Sequence, residues 1–120
     1  MSLTYRAIKK IKPHCSSQLD DGSWDVNVCG CDLLGIFHEH LGLPTCPETG
    51  KLEGWHRVPY QMDAHTATIT ANKIAKTTDE TIMRILNRAG GRWGSTPEEF
   101  LKWVRDWQLF LTICGGYIVG

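Results

Sequence analysis

The sequence predicts an α+β domain with a short sheet and about three helices, on three observations. Thr77-Thr78-Asp79-Glu80 and Ser95-Thr96-Pro97-Glu98 each place a hydroxyl ahead of an acid at the spacing of a capping box, and each precedes an apolar stripe at helical spacing. Trp24, Val26 and Val28 alternate with Asp25 and Asn27, as residues of a half-buried strand do.

Taken in order, Leu3, Ala7 and Ile11 recur at four-residue spacing among basic residues, which predicts a short amphipathic helix over 3–11, ended by Pro13. Asp20-Asp21-Gly22-Ser23 is a turn before the strand at 24–28. A helix follows over 33–41, with Asp32 as N-cap, Gly42 as its left-handed C-terminal residue and Pro44 blocking continuation. In projection His40 falls within the arc of Leu33, Leu34, Ile36, Phe37 and Leu41 and is expected to be buried, with His38 at the surface. Pro47, Gly50, Gly54 and Pro59 break every period from Cys46 to Met62, which reads as a long irregular connection. The threonine-rich run 64–71 favours a strand.

Two helices are then expected, over 78–89 with Ile82, Met83, Ile85 and Leu86 inward, and over 96–107 with Phe100, Val104, Trp103 and Trp107 inward. Beyond Gln108 the projection turns Leu109 to the polar side, so the chain is expected either to enter a fully buried turn or to change to strand through Leu111 and Ile113.

The 120 residues, 42% hydrophobic and 22% charged, lie in the range of globular domains, so one domain over 1–120 is expected. The longest apolar stretch is far shorter than the ~20 residues a membrane span needs, and the basic N-terminal residues precede no signal-peptide core. No membrane association is expected. Five cysteines, an odd number, and the lack of any Asn-x-Ser/Thr site fit free thiols and a cytoplasmic setting. The net charge is zero and balanced along the chain. Nucleic acid is therefore not the expected partner, because phosphate contacts need a basic excess.

Three groups of residues could carry chemistry. Cys29, Cys31, Cys46 and His56 are candidate ligands of a structural zinc, although His38 and His40 face opposite ways on a helix and cannot share one ion there. The plain alternative is that these cysteines are small buried apolar side chains.

Cys31 stands where a strand gives way to a helix, where the helix dipole and free backbone amides lower a thiol pKa, and His65 is a candidate base. The run from Cys31-Asp-Leu-Leu to Leu-Gly-Leu-Pro44 resembles small papain-like cell-wall peptidases, which implies a cysteine hydrolase using Cys31 and His65. The chain departs from that family in lacking a small residue and a glycine directly after the cysteine.

Trp55 and Trp93 sit in glycine-flanked loops, as a tryptophan tucked onto the core or offered to a partner would. The leading expectation is a non-enzymatic interaction domain that needs no cofactor and contacts a protein partner or a second copy of itself.

Overall fold

The structure, a computed structural model, describes residues 2–45, 58–88 and 96–119, and the side chains of these except residues 2 and 27–32. Its strands are β1 (Ser2–Ala7), β2 (Trp24–Asn27), β3 (Gln61–Asp63) and β4 (Gly116–Val119). Its helices are α1 (Val28–Leu41), α2 (Ala64–Lys76), α3 (Asp79–Arg88) and α4 (Pro97–Ile113). The strands form one antiparallel sheet in the order β2-β1-β4-β3, which makes the domain α+β with one more helix than the sequence led us to expect.

The N-terminal segment is a strand and not the expected helix. Its working period is two: Tyr5 is fully buried between the partly buried Leu3 and Ala7, while Arg6 is exposed. The four-residue spacing of Leu3, Ala7 and Ile11 passed over Tyr5, whose ring stacks on Tyr117 at 5.1 Å and meets Trp107 edge-on at 5.5 Å.

The threonine-rich run likewise forms α2 rather than a strand. Asp63 caps it by accepting a hydrogen bond from the Thr66 amide at 2.7 Å. Ala67, Thr70, Ala71 and Ile74 make its buried stripe. Thr68 and Thr70 turn their hydroxyls back onto the carbonyls one turn earlier, at 2.9 and 2.8 Å, so β-branched residues sit in the helix without a stranded polar group.

The two expected capped helices form, each with its cap one residue later than predicted. Thr78 accepts from the Thr81 amide at 3.2 Å, and Thr96 from the Glu99 amide at 3.1 Å, with Pro97 at the first helical position. α4 runs on to Ile113 because Phe110 and Leu111 are buried. Leu109 does point outward, 43% exposed, and a single exposed leucine does not end a helix.

Arg105 joins the helices. Its Nη1 donates to the Ile74 carbonyl at 2.9 Å, and its Nη2 donates to the Thr77 carbonyl at 2.8 Å and to the Asp79 carboxylate at 2.6 Å. One planar cation on α4 thus satisfies carbonyls at the C-terminus of α2 and pairs with the first acid of α3.

The sheet points Leu3, Tyr5, Trp24, Val26, Met62 and Tyr117 into the core; α1 and α2 rest against its strands, and α3 packs on α4 and α1. Phe100 is 1% exposed and meets Phe37 of α1 edge-on at 6.0 Å. Trp103, expected in the core beside Trp107, is only partly buried and packs on the rim. Phe100→Ala is accordingly expected to lower the unfolding free energy by about 3–5 kcal/mol in denaturant melts, and Trp103→Ala by distinctly less. Equal losses at the two positions would show the edge of the core to be misplaced.

Candidate functional site

The residues singled out by their chemistry fall in different parts of the fold. Trp55, Trp93, Cys46 and His56 lie outside the described residues. Cys29 and Cys31 belong to the first turn of α1. Among the described residues, no group of three or more histidines, cysteines or acids is placed to hold a metal ion, and no helix is long and apolar enough to cross a membrane.

His65, expected at the head of a strand, is in the first turn of α2 with its side chain exposed. Cys31 is carried by α1 and His65 by α2, which start at different places along the sheet. α1 begins where β2 ends, beside Asn27 and its partner Ser2, whereas α2 begins where β3 ends, beside Asp63 and its partner Gly116. These are opposite ends of β1 and opposite edges of the sheet. Three strand spacings of about 4.8 Å already put the two edges about 14 Å apart. The two helices also rest on different neighbours, α1 on β2, β1 and α3, and α2 on α4, β4 and β3.

The two histidines of α1 are exchanged relative to expectation: His38 is fully buried and His40 is exposed. The buried arc is set by Leu33, Leu34 and Phe37, to which His38 adds the next turn after Leu34. Counting Ile36 and Leu41, both only partly buried, shifted the arc toward His40.

The polar partners of His38 determine its chemistry. The indole N–H of Trp107 donates to its Nε2 at 3.1 Å, and its Nδ1 lies 2.8 Å from the carbonyl oxygen of Pro44. An indole only donates and a carbonyl only accepts, so the ring is neutral with its proton on Nδ1. Burial pushes its pKa down from 6.5 to about 4, against a smaller opposing effect of the Pro44 carbonyl. His38 is thus a fixed strut and presents no free nitrogen for catalysis.

The surface with unused capacity lies on the other side of the sheet. Across one row of that face stand Arg6, Ile118 and Gln61, which the register makes neighbours. In the next row the Ile8 amide donates to the Gly116 carbonyl at 2.9 Å, and Gly116 pairs with Asp63. Gly116 has no side chain between Ile8 and Asp63. A Cβ there would come within 2.5 Å of the Met62 carbonyl oxygen, and φ is +95°, so the gap in the row is built into the backbone.

A groove of about 450 Å³ follows this edge, with Ile8 and Ile118 on one side and Gln61, Asp63 and Thr66 on the other. Ile8 and Ile118 are 59% and 50% exposed. The Asp63 carboxyl is held below the ordinary range, first by the Thr66 amide, and so is anionic. Sequence reasoning missed this face because the segment bearing Arg6 and Ile8 was read as a helix. The alternation of Thr4, Arg6 and Ile8 with Leu3, Tyr5 and Ala7 was the signal that could have found it.

No protein-family model, curated protein or solved structure matches the chain. The geometry is the ground for any functional reading.

The buried histidine makes the fold sensitive to acid. The pKa of His38 is lower folded than unfolded, so above pH 6.5 both states are neutral and stability is complete. Between about pH 6.5 and 4 the unfolded chain takes up the proton first, and about 3 kcal/mol is expected to be lost across that window. Urea melts at pH 7, 5.5 and 4.5 should show the midpoint falling in wild type and falling less in His38→Gln. An identical slope in the two proteins would remove His38 as its cause.

Proposed function

We propose that this domain is a non-enzymatic binding module that works through the open face of its sheet. The observation that carries the reading is the pair Ile8 and Ile118, each at least half exposed, side by side along a groove on the face that the helices leave uncovered. Buried apolar surface drives most association, and interface anchors are few and central, so two such side chains beside a concavity form the type of patch that a partner covers. The opposite corners of the sheet occupied by the α1 and α2 starts favour this reading over thiol chemistry between Cys31 and His65. Trp55, which precedes the groove residue Pro59 in the chain, is proposed as a further anchor, and Trp93 as another.

The test is selection of displayed peptides on wild type, with counter-selection on an Ile8→Ser/Ile118→Ser protein. Both changes are at exposed positions, so the melt of the double variant is expected to stay within about 1 kcal/mol of wild type. Enriched peptides should bind wild type and lose about 2 kcal/mol or more of affinity for the variant. Peptides that bind both proteins equally, or no enrichment at all, would overturn the reading.

A further inference from the structure

The open face carries charges of both signs in an ordered arrangement. Arg6 of β1 and Lys9, Lys10 and Lys12 in the segment after it are all exposed. Among the described residues none of the four forms an ion pair, although Arg6 contributes, after the Ser23 amide, to holding the Asp21 carboxyl low. The stem of Lys9 lies against Gly115, where an added Cβ would come within 2.5 Å of its Cγ. Arg6 and Ile8 lie to one side of the chain, the side that also bears Ile118. On the edge strand β3 stands Asp63, and on β2 Asp25 accepts from the Thr4 hydroxyl at 2.9 Å.

We propose that the partner of this face is a second copy of the chain, packed about a two-fold axis running along β4 so that Ile118 meets Ile118 and β1, with Arg6 and Ile8, lies over Asp63 of the other copy. The proposal rests on the binding reading and names its occupant. A two-fold axis along β4 exchanges the strands on either side of it, so β1 of each copy faces β3 of the other, as a self-complementary contact requires. The column of β1 then presents Ile8 opposite Asp63, with Arg6 about 7 Å away along the strand, within reach of its long side chain.

Charge selects this occupant over others. A polyanion such as nucleic acid or an acidic lipid surface meets Asp25 and Asp63 on the same face, whereas a second copy about this axis brings the cation Arg6 near its Asp63 and leaves Asp25 outside the contact. Zero net charge removes long-range repulsion between copies.

The experiment is sedimentation equilibrium of the full chain from about 10 µM to about 1 mM, the range in which a contact of one small sheet face is expected to dissociate. Wild type should form dimers. Ile118→Lys should raise the dissociation constant about tenfold or more. Asp63→Asn keeps the α2 cap, since asparagine caps as well as aspartate, and should raise it about threefold and remove most of its dependence on salt. Melts of each variant separate lost association from lost folding. A chain that stays monomeric at about 1 mM overturns the second copy, and peptides still selected by the Ile118 face would leave the binding reading standing. A dimer indifferent to both substitutions overturns the proposed contact, and binding of a phosphatidylserine vesicle or an oligothymidine that needs Arg6 and Lys10 would replace it with a polyanion.

Discussion

A hydrogen bond between two buried side chains holds the two halves of this chain together. Trp107 donates to His38, and His38 in turn reaches the Pro44 carbonyl, so the middle of α4, the C-terminal turn of α1 and the segment after it share one polar chain inside the core. Each group has one possible role. The link is satisfied only with a neutral imidazole in one tautomer, and a second proton would set two N–H groups against each other. The rest of the core is arranged about the same indole. Tyr5 of β1, Trp24 of β2 and Tyr117 of β4 all lie with their rings within 6 Å of Trp107, so three of the four strands rest on one side chain.

That arrangement makes the sheet one-sided. One aromatic residue stands at an inward position of each of β1, β2 and β4, and α4 lies over these rings, with Arg105 tying α2 and α3 to it. Nothing comparable covers the outward positions among the described residues. These hold Thr4, Arg6, Asp25, Gln61 and Ile118, a composition that water solvates except where Ile8 and Ile118 stand together. An antiparallel sheet tolerates one wet face, so the open side costs the fold little and is available for contact.

The helices with strong local signals were legible in the sequence, and the strands and the site much less so. The α3 and α4 starts could be read from hydroxyl, acid and proline spacing to within one residue, because capping is a local interaction. β1 was not legible, since its pairing with β4 joins residues more than a hundred positions apart and its inward tyrosine has no local marker. α2 was misread because threonine's intrinsic preference points to strand, while the Asp63 cap and the Ala67, Ala71 and Ile74 stripe overrode it. His38 and His40 were exchanged by an arc drawn through Ile36, a residue that turns out to be only partly buried. The groove inherits the first of these difficulties. Ile8 and Ile118 become neighbours only when β1 and β4 pair.

The position of β4 explains why that pairing governs so much. It joins β1 to β3, so the strand formed by residues 116–119 sits inside the sheet and both of its neighbours come earlier in the chain. Reaching that place from the end of α4 requires an abrupt reversal, made by Gly115 and Gly116 at φ +67° and +95°. A side chain at Gly116 would also strike the backbone of β3, within 2.5 Å of the Met62 carbonyl oxygen, so the same glycine admits the strand and leaves its row bare between Ile8 and Asp63. The entropy of closing so long a loop is recovered only when Tyr117 reaches Tyr5 and Trp107, which makes the inner face a condition for the outer one. The open face is thus assembled as a consequence of core packing, and substitutions at Ile118 and Asp63 can alter its contacts without touching the aromatic residues that hold the sheet in place.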